Sequence, residues 1–212
     1  VVAARRVFNA GTWSRAEPEE RKEVLLKVAQ LVREHTHELA VLESLDTGKT
    51  INDCMAEIGG DVVNFFQWYA ELADKYFGKI ATTGPSALAL ITREPVGVAG
   101  AVLPWNFPLV MATWKIAPAL AVGCSAVIKP AEQTPLSTIR LAQLMEEAGV
   151  PAGVINIVPG FGETAGAAIG LHKDIDTVSF TGSTEVGRMF MRYASDSNLK
   201  GVGLEMGGKS PF

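Results

Sequence analysis

The sequence predicts an α/β fold: a Rossmann-like parallel sheet with helices on both faces, preceded by a helical N-terminal region. From residue 96 onward, short apolar segments alternate with segments of helical period, the order expected of successive βα units. Polar and glycine-rich motifs follow the predicted strands at their carboxyl ends, where such sheets bind ligands. A chain of 212 residues is long enough to bury a substantial core.

The composition excludes several classes of function. Hydrophobic residues make up 48% and charged residues 20% of the chain, as is typical of globular proteins. A net charge of -4 gives no electrostatic reason to expect nucleic acid or an anionic membrane, and no apolar run is long enough to cross a bilayer. Cys54 and Cys124 have neither metal-ligand spacing nor a disulfide framework. We therefore expect a reduced, cytoplasmic protein without a metal site.

The N-terminal third is predicted to be helical. Residues 18 to 47 have helical period, with a break near Thr36 and a natural stop at Gly48. Residues 50 to 77 predict a second long helix that is apolar on most sides and therefore buried. Gly59-Gly60 indicates a weak point or close packing in that helix.

Strands and helices alternate in the remainder of the chain. Residues 88 to 94 predict a strand that Pro95 ends. Further strands are predicted near 97–103, 125–129, 154–158, 176–180 and 201–204, and helices near 107–121, 135–148, 163–171 and 184–195.

Two motifs carry side chains suited to catalysis. In Pro104-Trp105-Asn106-Phe107-Pro108, the asparagine either caps the following helix or directs an amide N–H at a developing oxyanion. In Leu204-Glu205-Met206-Gly207-Gly208, a single glutamate ends a strand that we predict to be buried. Desolvation would raise the pKa of Glu205 toward the range of a general base. The alternative is a structural salt bridge between Glu205 and Lys209.

Three other motifs are candidates for nucleotide binding. Lys129 and Glu132 form either an ordinary surface pair or contacts to a ribose. Gly160-Phe161-Gly162-Glu163-Thr164-Ala165 matches the pattern G-x-G-x-x-A, but a lone match is weak. Gly182-Ser183-Thr184-Glu185-Val186-Gly187 opens a helix, so its N–H groups can bind phosphate while Ser183 or Thr184 caps that helix.

In this order and spacing, the motifs resemble the aldehyde dehydrogenase superfamily along essentially the whole chain. The resemblance is closest to hydrolytic enzymes of the betaine-aldehyde and gamma-glutamyl-gamma-aminobutyraldehyde dehydrogenase type. It implies oxidation of an aldehyde to a carboxylic acid, with hydride transfer to NAD through a thioester. Glu205 favours the acid as product, because relatives that acylate coenzyme A usually lack this residue. The catalytic cysteine and catalytic domain are then expected beyond Phe212, and this chain is expected to be an inactive N-terminal fragment.

The resemblance also assigns roles to individual residues. Asn106 and Glu205 are implied to be catalytic. Glu132 favours NAD because a carboxylate repels a 2'-phosphate, and NADP is the alternative cofactor, since some family members accept both. Phe107, Met111 and Trp114 share one helix face, which is either a core stripe or, as in the family, the lining of the aldehyde tunnel. The implied NAD contacts are Pro104, Trp105, Asn106, Lys129, Glu132, Gly162, Gly182, Ser183, Glu205 and Gly207.

On this interpretation the chain has three parts. Residues 1–86 form the helical N-terminal part, 87–95 a strand of the oligomerisation arm, and 96–212 the Rossmann-like units of a partial NAD-binding domain. The implied partners are a small-molecule aldehyde and further copies of the protein, as a homodimer or homotetramer. The alternative function is a truncated, non-catalytic nucleotide-binding or scaffolding module. A different dehydrogenase that used the Gly160 loop would need a Tyr–Lys, His or metal set, and we find none in the sequence.

Overall fold

The computed structural model describes residues 1–208 and has a parallel sheet at its centre. Its strands are β1 (Lys79–Ala81), β2 (Ala89–Ile91), β3 (Val98–Val102), β4 (Ser125–Lys129), β5 (Ile155–Ile157), β6 (Thr177–Gly182) and β7 (Gly201–Met206). The last five strands form one sheet in the order β5-β4-β3-β6-β7, with all neighbours parallel. The predicted fold class is therefore confirmed.

Helices surround this sheet and also form the N-terminal part of the chain. They are α1 (Val2–Ala10), α2 (Pro18–Glu34), α3 (Thr36–Thr47), α4 (Ile51–Ala56), α5 (Val63–Ala73), α6 (Pro108–Ala121), α7 (Leu136–Ala148), α8 (Ala167–Leu171) and α9 (Thr184–Ser195). Short π-helical segments, Glu57–Val62 and Gly162–Gly166, lead into α5 and α8. Within residues 1–208, no helix combines the length and the apolar character needed to cross a membrane.

Alternate residues of the central strands pack on opposite faces of the sheet. Ala101, Ala126 and Ile128 face a core that includes residues of α2, α5, α6 and α7. Val102 and Val127 face a second core, which includes residues of α1, α8 and α9. Because side chains alternate along a strand, both faces of a buried strand must be apolar, as these sequences are.

The N-terminal helices differ from the prediction in their ends and in their exposure. The break near Thr36 is confirmed, since His35 separates α2 from α3. Gly59-Gly60 lies in the π-helical segment, where a Cβ on Gly59 would stand 3.4 Å from Thr36 Cγ2. The prediction that the following helix is buried on most sides is wrong, because Trp68 is 68% exposed while Phe66 is buried. Only one side of α5 packs against α2 and α6.

The strand predicted over residues 88 to 94 is the shorter β2, and its partner was not predicted. β2 pairs antiparallel with β1, which lies inside the range 1–86 that was predicted to be helical. β1 is only three residues long, which is too short to show the alternating apolar pattern that predicts a strand. The role of this segment as an oligomerisation arm stays a prediction, as does the division of the chain at residues 86 and 95.

The strand order creates a crevice beside β3. The chain adds β4 and β5 on one side of β3, and then β6 and β7 on its other side. The connections that follow β3 and β6 therefore leave in opposite directions across the sheet. Ligands of open α/β sheets bind at such a switch point, outside the carboxyl ends of the strands.

Candidate active site

A cleft of about 1000 Å³ lies at the carboxyl ends of β3, β4, β6 and β7. Loops that follow neighbouring parallel strands meet at one edge of the sheet, which explains why distant motifs share this cleft. Its lining includes the predicted site residues Pro104, Trp105, Asn106, Met111, Trp114, Lys129, Glu132, Gly162, Gly182, Ser183, Glu205 and Gly207. Phe107 is not among the lining residues.

Asn106 lies in the loop between β3 and α6, and its side chain is exposed to the cleft. The alternative that Asn106 caps α6 is wrong, because the N-cap position is Phe107 and no side chain caps the helix there. Within the described part of the chain, the Asn106 amide forms no hydrogen bond of its own. Its N–H groups can therefore donate to an oxygen atom in the cleft.

Glu205 stands near the end of β7, opposite Thr181 of β6 in the parallel register. The prediction that this strand is buried is wrong: β7 is at the edge of the sheet formed by residues 1–208, and Glu205 is exposed. The alternative partner Lys209 lies outside the described residues. Glu205 and Asn106 nevertheless line the same cleft.

Lys115 is a cleft residue that the sequence analysis missed. Its Nζ donates to Ser179 Oγ at 2.8 Å. Burial lowers the pKa of Lys115, and the negative charge of Glu205 acts in the opposite direction. A sequence signal did exist, because Lys115 is the only charged residue within the apolar helix α6.

Lys129 and Glu132 are not an ordinary surface pair. Lys129 is 2% exposed, and its Nζ donates to Glu132 Oε2 at 2.9 Å and to the Pro130 carbonyl at 3.0 Å. The hydrogen bond from Lys129 holds the pKa of Glu132 below its usual range. The buried ammonium therefore orients an ionised carboxylate whose side chain remains 44% exposed, in the cleft.

The start of α9 presents backbone N–H groups to the cleft. Ser183 is the N-cap of α9, and its Oγ accepts a hydrogen bond from the Val186 N–H at 3.2 Å. Of the two predicted caps, Ser183 and Thr184, the structure therefore has the first. The adjacent Thr181 Oγ1 is buried and has no hydrogen-bond partner among residues 1–208. A Cβ on Gly187 would stand 2.3 Å from Met206 Sδ, so this glycine lets α9 pack on β7. The helix N-terminus suits an anionic ligand.

Gly162 leaves room at the other end of the cleft. A Cβ placed on Gly162 would meet no atom within 4 Å, so the backbone faces open space there. Together with the carboxylate of Glu132 and the N-terminus of α9, this space fits an extended nucleotide with hydroxyl and phosphate groups.

The three apolar residues that were predicted to share one helix face separate in the structure. Met111 and Trp114 line the cleft, and Trp114 stacks on Phe65 with ring centroids 5.3 Å apart. Phe107 lies under Lys49, whose Nζ is 3.7 Å from its ring centroid. Trp114 is exposed, so the alternative of a simple core stripe is wrong for that residue.

Neither cysteine is placed as a nucleophile. Cys54 and Cys124 are buried, and neither lines the cleft. Burial raises the pKa of both thiols, which opposes formation of a thiolate. The arrangement in residues 1–208 thus supplies an amide donor, a carboxylate and a nucleotide-sized groove without a thiol in it.

Comparison with known proteins agrees with this geometry. The model of the aldehyde dehydrogenase family matches residues 1–212. The chain is 54% identical to the aminoacetaldehyde dehydrogenase of Pseudomonas aeruginosa, over 100% of this chain and 42% of that protein. It is 52% identical to the NADP/NAD-dependent aldehyde dehydrogenase PuuC of Escherichia coli, over 98% of this chain and 42% of that protein.

A solved structure shows the same fold. The indole-3-acetaldehyde dehydrogenase AldA of P. syringae, in complex with NAD+ and IAA, superposes with a TM-score of 0.97 at 50% identity. The match covers 99% of this chain and 42% of that chain. The present chain therefore spans about 42% of the length of each of these three relatives.

Proposed function

This chain belongs to the aldehyde dehydrogenase family, and from that premise we propose that the whole protein oxidises an aldehyde to a carboxylic acid. The observation that supports the proposal most directly is the common cleft of Asn106 and Glu205, beside a groove suited to a nucleotide. A thiol from outside residues 1–208 would complete the site as the nucleophile.

Two side chains of this chain would perform distinct tasks in the reaction. The amide N–H of Asn106 donates to the carbonyl oxygen as that oxygen gains negative charge after attack by the thiol. Hydride transfer from the resulting thiohemiacetal to the nicotinamide cofactor would give a thioester. The carboxylate of Glu205 then accepts a proton from water, which cleaves that thioester and frees the thiol. Within residues 1–208, Glu205 is exposed and lines the cleft. Lys115 contributes a partly buried positive charge near Glu205.

NAD is the proposed cofactor, and it would supply the hydride acceptor. Glu132, oriented by Lys129, would accept hydrogen bonds from the adenosine ribose, and the N-terminus of α9 with Ser183 would hold the pyrophosphate. Gly162 would leave space at the adenine end. The remaining predicted contacts, Pro104, Trp105, Gly182 and Gly207, line the same cleft.

The substrate that we propose is a small amino aldehyde, because the P. aeruginosa relative is an aminoacetaldehyde dehydrogenase. Met111 and Trp114 would form an apolar wall for its carbon chain. We also propose that the whole protein assembles as a homodimer or homotetramer and is located in the cytoplasm. Turnover is assigned to the whole protein and not to this chain alone, since neither Cys54 nor Cys124 lines the cleft.

The product distinguishes this function from other family reactions. With an amino aldehyde and NAD, we expect the whole protein to form NADH and the carboxylic acid in equal amounts. Coenzyme A should not divert the product to a thioester, because Glu205 directs water to the acyl group. Chromatography of the products, with and without coenzyme A, measures this; a coenzyme A thioester as the main product would contradict the proposal.

Replacing Glu132 with alanine should shift the cofactor preference toward NADP. The change removes a carboxylate that would repel a 2'-phosphate, so kcat/KM for NADP relative to NAD should rise by roughly tenfold or more. The matched control is Glu163→Ala, which removes an exposed carboxylate beside Gly162 that does not line the cleft. An unchanged cofactor ratio for Glu132→Ala, or an equal change in both variants, would count against the ribose contact.

A further inference from the structure

A buried carboxylate outside the cleft holds the start of α6. Glu43 of α3 is 0% exposed, and its Oε2 accepts the Leu109 N–H at 3.1 Å and the Ser137 hydroxyl at 3.0 Å. Its Oε1 is also buried and has no hydrogen-bond partner in residues 1–208. Burial raises the pKa of Glu43, and the hydrogen bonds from Ser137 and Leu109 oppose that rise. An ionisable group is costly to bury, so its position calls for a specific role.

The start of α6 depends on this carboxylate because it has no cap of its own. The N-cap residue Phe107 provides no side-chain cap, and Pro108 has no N–H group. The Met111 N–H bonds back to the Phe107 carbonyl. The buried Leu109 N–H is therefore satisfied by a residue 66 positions earlier in the chain. Without Glu43 it would be a buried, unpaired donor.

A second contact holds the same loop from the same side. Lys49, which follows α3, forms an ion pair with Glu57 at 2.6 Å and lies over the ring of Phe107 at 3.7 Å. Phe107 is the residue directly after Asn106. The region around α3 therefore restrains the chain on the C-terminal side of Asn106 at two successive points, Phe107 and Leu109.

We propose that Glu43 is a positioning residue for Asn106. By fixing the Leu109 N–H, it sets where the loop that carries Asn106 joins α6, and so where the Asn106 amide stands in the cleft that it shares with Glu205. This inference rests on the proposed oxyanion role of Asn106. Displacement of a catalytic group by about 1 Å can cost roughly a hundredfold in rate, so a distant restraint of this kind can govern turnover.

The test compares three variants of the whole protein, with rates expressed per folded protein as measured by circular dichroism. Glu43→Leu removes the acceptor and should lower kcat roughly tenfold or more, with KM for NAD changed less than about twofold. Glu43→Gln keeps an oxygen that can accept both bonds and should remain within about threefold of the wild type. Ser137→Ala leaves the Leu109 bond in place and should have a similarly small effect on kcat.

A double-mutant cycle with Asn106→Ala separates positioning from general stability. If Glu43 acts through Asn106, then Glu43→Leu should cost less than about twofold in the Asn106→Ala background. An undiminished loss in that background, or no loss in the wild type, would overturn the inference. If Glu43→Leu does not fold, Glu43→Asp takes its place in the same cycle, because it shortens the side chain that accepts the Leu109 bond. Its effect on the rate should likewise be lost in the Asn106→Ala background, and an undiminished effect there would overturn the inference. A rate unchanged by Asn106→Ala alone would instead reject the oxyanion role of Asn106 on which this inference rests.

Discussion

Glu205→Gln is expected to lower steady-state turnover of the whole protein by roughly a hundredfold or more, the usual contribution of a general base. Glutamine has nearly the same shape but cannot accept the proton from water. The first burst of NADH should remain, because formation of the acyl-enzyme does not need this base. Rapid-mixing measurements of NADH separate the burst from the slow turnover that follows.

The control for this change is Glu147→Gln, the same substitution at an exposed position of α7 that does not line the cleft. It should leave both the burst and turnover unchanged. If Glu205→Gln also turned over at the wild-type rate, Glu205 would not be the base. Loss of the burst itself would instead indicate that Glu205 acts before acylation.

The second large effect is expected for Asn106→Ala, which should lower kcat/KM on the order of a hundredfold, as removal of an oxyanion donor does. Unlike Glu205→Gln, this variant should lose the burst rate together with turnover, because the oxyanion forms in the first step as well as the last. Asn106→Asp should be no better than Asn106→Ala, since a carboxylate cannot donate and would repel the developing charge.

Asn64→Ala is the matched control, because Asn64 is an exposed asparagine of α5 outside the cleft. Its rate should equal that of the wild type. An Asn106→Ala variant within a few-fold of the wild type would remove Asn106 from the mechanism while leaving the fold assignment intact. The contrast between the two variants therefore isolates the amide in the cleft from any general effect of the substitution.

Local sequence predicted the elements with strong periodic signals and missed those without them. The alternating strands and helices from β3 to β7 follow from the switch between apolar runs and helical period, which depends only on neighbouring residues. β2 was predicted with longer bounds, but its partner β1 was missed, because a strand of three residues is too short to show such a period. Trp68 was predicted to be buried because an apolar side chain does not reveal which side of its helix meets a neighbour.

The sequence by itself determined the fold class and the family. It also identified most of the polar residues that lie together at the carboxyl ends of the strands. The order of the motifs, each after an apolar strand, suffices for that, because carboxyl ends of parallel strands share an edge. Only the tertiary structure decided how these residues are held. The exposure of Glu205, the burial of Lys129 under Glu132 and the restraint of Leu109 by Glu43 join segments far apart in the chain. Such contacts depend on how helices, strands and loops pack together, so the spacing of residues along the sequence does not predict them.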